Sequence, residues 1–340
     1  MPTGSSISAH IAHLARSARA VAGLGLAGFA LLATGAAPGW KPESSVELIA
    51  PAAAGGANDL AARLVQKFLQ DKKLVAVPVT VTNKPGGAHT IGLAYLNQRP
   101  GDGHRLMIET IDFVTNRITG KSSIGTADVT PLALLFGDYI TLSVRANSPV
   151  KSAADFVSRL KQDPASLSIA LSSALANANH LAAAMVARHG GVDIRRMKIV
   201  VYNSGSETIT AMLGGHIDVV AGPASVSATH AEGGKIRVLG ISAPQRVAGS
   251  LATIPTFREQ GLDAVISNWR SVLGPKGLSA AQIAFWDDVF GRLAQSDDWK
   301  KELDKHLSQA GYLNAAETRN FYEAQYNDSK ALLSDLGLAK

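Results

Sequence analysis

Two glycine-rich stretches carry the chemistry that this sequence advertises. Residues 51–59 (PAAAGGAND) and 83–90 (NKPGGAHT) each follow a β-rich run and precede a helical pattern. The first N–H groups of a helix have no intrahelical acceptor, and the macrodipole places partial positive charge beside them. Glycine lets a ligand approach the main chain closely. Either stretch alone reads as an ordinary tight turn. Two of them at neighbouring strand ends form a cradle for an anion. Gly55, Gly56, Ala57, Asn58, Gly86, Gly87, Ala88, His89 and Thr90 are therefore the candidate ligand contacts of one half of the molecule. Phosphate is disfavoured: no Gly-Lys-Ser/Thr follows the first stretch, and neither is Gly-x-Gly-x-x-Gly.

Other residues divide by what their charge allows. Asp59 is expected to cap a helix or order the loop rather than touch the ligand, because a carboxylate facing an anion would repel it. His89 is either a solvated turn residue or a donor to one end of the ligand that tunes affinity with pH. His180 is expected to serve as a structural cap at a helix start. Ser172, Ser173 and Asn177 are small polar groups at a strand end, where clefts form, and Tyr202, Asn203 and Ser206 follow the next strand. They are the candidate contacts of the second half. Glu109 and Asp112, after a third strand, read as an ordinary exposed turn or as groups that orient waters, and Trp269 as packing near a hinge. No Gly-x-Ser-x-Gly, no His-Glu-x-x-His and no dense His/Asp/Glu cluster is present, and Ser206 with His180 lacks a third orienting group. No catalytic residue, metal site or cofactor is assigned, and the chain is expected not to be an enzyme.

The elements that must hold these residues alternate in type. Residues 46–50, 77–82 and 105–109 read as strands, and apolar residues recur at helical spacing in 60–68 and 91–96. A second set follows: strands at 140–144, 167–171, 198–202, 217–221 and 235–242, and helices at 153–161, 179–188 and 207–213. Glycine pairs at 190–191, 214–215 and 233–234 mark helix ends. From Ala280 the chain reads as helical throughout, over 280–296, 299–309 and 316–336. This is α/β alternation, which implies a mostly parallel sheet.

The leader is distinct. Residues 1–36 read as a secretory signal peptide: Arg16 and Arg19 without an acid, an apolar run from Ala20 to Ala33, then small residues with cleavage near Gly35 to Ala37. The run is shorter than the roughly 20 apolar residues that a membrane span requires. About 300 residues remain, enough for two domains. The chain has no cysteine, which excludes disulfides, thiolate metal sites and a lipid-anchored leader. Loss of the two leader arginines lowers the formal net charge from +6 to +4. That charge is dispersed, which argues against nucleic acid and suits an anionic ligand.

Taken in order, the motifs resemble the substrate-binding proteins of tripartite tricarboxylate transporters, the Bug/TctC family. They are Gly55-Gly56-Ala57-Asn58-Asp59 with Ala62-Arg63, Asn83 through Gly92, Asp102-Gly103, His180-Leu181, Tyr202 through Gly205, Leu213 through Asp218, Pro255 through Gly261, then Trp269 and Gly274-Pro275. The resemblance implies a two-lobed type II periplasmic-binding-protein (Venus-flytrap) fold. Lobe 1 would comprise 37–141 plus 270–340 and lobe 2 would comprise 142–269, moving about hinges near 142 and 268. It implies a monomeric periplasmic receptor that binds a small organic carboxylate through loop amides and delivers it to inner-membrane transporter subunits. A sensing protein that presents the carboxylate to a signalling receptor is the alternative. The chain departs from the family at Ala53 and Ala54, at Ala88 and His89 in place of glycine, across Ser172 to Asn179, at Asn203 in place of lysine, and at Ala221-Gly222-Pro223.

Overall fold

The computed structural model describes residues 39–340; the expected leader and its cleavage zone lie outside them. The first half runs β1 (Val46–Ala50), α1 (Ala57–Asp71), β2 (Val79–Asn83), a single turn at Gly87–His89, α2 (Thr90–Leu96), β3 (Arg105–Glu109), α3 (Asp112–Ile118) and β4 (Val129–Arg145). The second half runs α4 (Ala153–Gln162), β5 (Ser168–Ser172), α5 (Ala178–His189), β6 (Lys198–Tyr202), α6 (Gly205–Leu213), β7 (Val219–Pro223), α7 (Ala224–Glu232) and β8 (Ile236–Ile241). The chain returns through β9 (Ser267–Pro275), α8 (Ala280–Gln295), α9 (Asp297–Lys305), β10 (Ser308–Leu313) and α10 (Ala315–Asp335).

β1 lies between β2 and β3 and is parallel to both. Its Val46, Leu48, Ile49 and Ala50 are all buried, as expected for a strand covered on both faces. α1 buries Ala61, Ala62, Val65, Phe68 and Leu69. β5 lies in the same way between β6 and β7, parallel to each. The expectation of a mostly parallel sheet needs correction, because β4, β8, β9 and β10 all pair antiparallel. β4 is the reason. Its first stretch pairs with β9, up to Tyr139 opposite Ser267, and its last stretch pairs with β7 and β8 from Ile140 onward. One strand thus belongs to both halves. The change of partner falls just before the expected boundary at 141/142.

The sequence pattern places a strand only at 140–144. The rest of β4 is buried on both faces and so shows no alternation, and Pro131 sits at a register shift where its missing N–H is tolerated. The expected helix over 299–309 is cut short. It ends at Lys305, Leu307 turns with φ 52°, and Ser308–Leu313 becomes a strand against β4. The first half packs aromatic residues on both sides of its sheet. Trp286, Phe290 and Trp299 lie on one side. Phe113, Trp269 and Tyr322 lie on the other, with Trp269 stacked on Tyr322 at 5.2 Å between centroids.

Candidate functional site

Strand registers decide where the candidate loops meet. Asn83 ends β2 opposite Ala50 at the end of β1, so the loops at 51–59 and 84–89 are neighbours. β3 ends at Glu109 opposite Ser271, and from there β9 runs back to Ser267, opposite Tyr139. In the second half Ser172 lies opposite Tyr202, and β7 ends at Pro223 opposite Ile140. The carboxyl ends of both parallel sets therefore abut the stretch where β4 changes partners. Lys121, just after α3, donates to the Leu175 carbonyl in the second half at 3.2 Å.

Asp59 organises the first loop. Its side chain is 1% exposed and accepts from the Gly55 N–H at 2.8 Å, Arg63 Nε at 2.9 Å and Asn83 Nδ2 at 2.8 Å. Burial works against its charge, but the hydrogen bonds from Arg63, Gly55 and Asn83 prevail and hold the carboxyl below its usual range. Asn83 also donates to the Ala52 carbonyl at 2.9 Å. Two expected donors need correction here. The Gly55 N–H is taken by Asp59, and the Gly56 N–H is taken by the Ala53 carbonyl at 3.0 Å. Gly56 instead serves by its size, since a Cβ there would lie 3.0 Å from the Ala53 oxygen. The N–H groups of Ala57 and Asn58 find no acceptor among the described residues.

In the second loop φ is positive at four successive residues, Gly86 (108°), Gly87 (57°), Ala88 (49°) and His89 (72°). The loop carbonyls are tied down: Asn116 Nδ2 holds that of Ala88 at 2.7 Å and the Thr90 hydroxyl that of Gly87 at 2.6 Å. Thr90 turns both its N–H and its hydroxyl onto Gly87, which removes it as a free donor. No described residue accepts from the N–H of Gly86, Gly87 or Ala88. The following helix has only seven residues, so these loop amides contribute more to anion binding than its dipole does.

Beneath this loop lies a pair that the sequence pattern misplaces. Glu109 is fully buried rather than part of an exposed turn. Its Oε1 lies 2.6 Å from His89 Nδ1 and accepts the Thr110 N–H at 3.1 Å, while its Oε2 has no partner among the described residues. Burial opposes a charge on His89, but the Glu109 carboxylate outweighs it and the imidazole is pushed up to about 9. The ring's Nε2 lies 3.4 Å from the Asn58 side-chain amide. Asp112 sits partly buried in the first turn of α3 and accepts from the Thr110 hydroxyl at 2.8 Å.

The second half's loop ties down part of its own backbone, though the N–H groups of Leu175, Asn177, Ala178 and Asn179 find no acceptor among the described residues. Tyr202 O takes the Ser173 N–H at 2.8 Å, and His180 Nδ1 takes the Ala176 N–H at 3.0 Å. Asn177 caps α5 by accepting the His180 N–H, and it donates to the Ser172 carbonyl at 2.7 Å. This engagement removes Asn177 as a free ligand contact. Ser172 Oγ accepts from Asn179 at 3.3 Å. Asn203 gives its N–H to Glu207. Ser173 and Ser206 remain exposed and Tyr202 is half-buried. Six non-glycine residues among those described have positive φ, and four of them (Ala88, His89, Ser173 and Ala176) lie in these two loops. Backbone strain of that kind collects at functional sites.

Arg270 and Asn116 also escape sequence reading. Arg270 is 3% exposed, gives Nη1 to the Asn268 carbonyl at 2.8 Å, and reaches Asp138 at 3.5 Å. Orphaned polar atoms gather nearby, on Glu109, Asn268, Trp269 and Arg270. A cavity of about 450 Å³ lined by Phe113, Arg117, Tyr322 and Tyr326 lies apart from every candidate residue. Among the described residues no group of three or more His, Cys, Asp or Glu is placed to hold a metal, and no helix is long and apolar enough to cross a membrane.

Solved structures share this architecture. A TctC solute-binding protein from Polaromonas superposes with a TM-score of 0.72 at 24% identity, covering 87% of this chain and 99% of its own. The R. palustris protein Rpa4515, solved with adipate, gives 0.76 at 24% identity over 88% and 99%. MatC from Rhodopseudomonas palustris, with bound malate, gives 0.70 at 20% identity over 86% and 99%. The fold is that of a two-lobed α/β solute-binding protein. Residues 61–338 match the tripartite tricarboxylate transporter family receptor, and the chain belongs to that family. Among curated relatives, a protein from the gbd 5′ region of Cupriavidus necator is 27% identical over 300 residues, covering 88% of this chain and 89% of the relative. BugT of Bordetella pertussis is 25% identical over 245 residues, covering 69% and 72%. The family and its structural neighbours are solute-binding proteins, not enzymes.

Proposed function

We propose that this protein is a periplasmic receptor that captures a small organic carboxylate and delivers it to the membrane subunits of a tripartite transporter. One observation carries the reading: main-chain N–H groups without protein acceptors, at Ala57 and Asn58 and at Gly86 to Ala88, lie on adjoining strand-end loops. Preorganised amides of this kind favour negative charge. Relatives of the same fold hold adipate and malate. Lobes of 37–141 plus 270–340 and of 142–269 would close over the ligand, bringing up Ser172, Ser173, Tyr202, Asn203 and Ser206. Closure is a population shift set by the ligand's preference for the closed state. The passage of β4 through both sheets supports a hinge there. Residues 1–36 would direct export and be removed.

The test is thermal unfolding of the monomeric, leaderless protein against a panel of aliphatic and aromatic acids, each beside its neutral amide. A carboxylate at a hundred times its Kd stabilises by about 2.7 kcal/mol. The acid should raise the Tm by several degrees, the amide should not, and the ligand should be recovered intact. No stabilisation by any acid, or turnover of one, would overturn the proposal.

A further inference from the structure

We infer that His89 is the positioning residue of the cradle: its imidazolium neutralises the buried Glu109 carboxylate beneath the two loops and joins the second loop to the first turn of α1, so that anion capture depends on the charge of this one ring. The inference rests on the carboxylate reading and adds a residue and a pH dependence to it.

Three elements meet at the ring. Glu109 closes β3 with no exposed surface. His89 Nδ1 reaches its Oε1 at 2.6 Å, and the other oxygen has no partner among the described residues. A buried charge that loses its only close counter-charge is strongly unfavourable. Here it would also stand as an uncompensated negative charge under a site for anions. On its other side the ring lies 3.4 Å from the side chain of Asn58, whose own N–H is one of the free donors. A charged imidazole donates from both nitrogens, so Asn58 must present its oxygen to it. His89 thus fixes the spacing of the two sets of amides.

The backbone supports this assignment. Ala88 and His89 both take left-handed φ angles, which are strained for an L-residue. The chain accepts that strain at the position that brings an imidazole to Glu109. The other charges facing the ring are Asp112 at the start of α3, which favours the proton, and Arg270 on β9, which opposes it. Arg270 is itself turned toward Asp138 and the Asn268 carbonyl. With the carboxylates prevailing, the ring keeps its proton to about pH 9.

Two measurements on the leaderless protein test the inference. NMR titration of the histidine rings without ligand should place the His89 midpoint well above that of an exposed histidine, and Glu109→Gln should bring it down by at least one pH unit. Calorimetry with adipate, malate and any further acid that stabilises the protein should show wild-type affinity falling at least tenfold between pH 7 and pH 10. His89→Gln should lose at least tenfold at pH 7, while His89→Gln with Glu109→Gln should recover most of that loss and bind independently of pH. Folding of each variant is checked by circular dichroism. A double variant as weak as His89→Gln, or wild-type binding that is flat to pH 10, would overturn the assignment of His89 and leave the carboxylate reading standing. Failure of every acid to bind the wild type would overturn both.

Discussion

Each half of the molecule opens a helix beside its strand ends with a histidine, and the two histidines behave in opposite ways. His89 faces a buried carboxylate and holds a proton to about pH 9. His180 is buried with Lys121 nearby, is pushed down to about 4, and uses Nδ1 to accept the Ala176 N–H. The loops around them differ in the same sense. In the first half the N–H groups of Ala57, Asn58, Gly86, Gly87 and Ala88 are among those that find no acceptor among the described residues. The second half spends the Ser173 and Ala176 donors and the Asn177 side chain on its own turn. Residue type and place along the fold are therefore insufficient to assign a role. What each ring faces decides whether it supports a capture site or stiffens the surface that closes on it.

The sharpest way to break this contrast is to remove the residue that shapes the first loop. Asp59→Ala leaves Gly55, Arg63 and Asn83 without their shared acceptor. It should cost about 3 kcal/mol in urea unfolding, as loss of a buried charged hydrogen-bonding group does, and should abolish carboxylate binding. Asp59 orders its loop without capping α1, whose N-cap is Gly56 with no side-chain bond, whereas Asn177 does cap α5; Asn177→Ala should cost only about 1 kcal/mol.

The two rings should also leave opposite marks on stability against pH. A folded-state pKa of about 9 exceeds the unfolded value near 6.5, so the His89 contribution is full below pH 6.5 and is lost as pH rises toward 9. A folded-state pKa of about 4 lies below the unfolded value, so the His180 contribution is full above pH 6.5 and is lost as pH falls toward 4. Urea unfolding from pH 4 to 10 should show both slopes, each spanning a few kcal/mol at most. His89→Gln should flatten the alkaline side alone, and His180→Gln the acid side alone.

Gly56→Val tests the close approach in the first loop, where a Cβ would press on the Ala53 carbonyl. It should weaken carboxylate binding at least tenfold in calorimetry while lowering stability by no more than about 2 kcal/mol. The smallest expected effect belongs to Lys121→Ala, which removes an exposed contact to Leu175. It should change stability by less than about 1 kcal/mol, yet raise the His180 titration midpoint in NMR, because Lys121 is one of the two causes of its depression.

The sequence made some of this legible and concealed the rest for identifiable reasons. Strands at Val46–Ala50, Arg105–Glu109 and Lys198–Tyr202 could be bounded to the residue, because turn residues or helix starts punctuate them. β9 and most of β4 could not, since antiparallel crossing strands buried on both faces lose the alternation that marks a strand, and the largely exposed β10 carries no such alternation either. The two glycine-rich loops stood out by composition. Which of their amides remain free did not, because that depends on Asp59 and Asn83 meeting across two strands. Glu109 closes a short apolar strand and reads as the start of a turn. Its burial comes from β9 and α10, whose residues lie more than 150 positions away in the chain.

Amide NMR offers the most direct view of the central claim. The leaderless, ¹⁵N-labelled protein is titrated with the acid that stabilises it best, and the main-chain N–H signals are followed at neutral pH. Saturable downfield shifts and slowed hydrogen exchange are expected at Ala57, Asn58, Gly86, Gly87 and Ala88. Saturation with those five signals unmoved, and with the changes gathered instead around the Phe113, Arg117 and Tyr326 cavity, would contradict that claim.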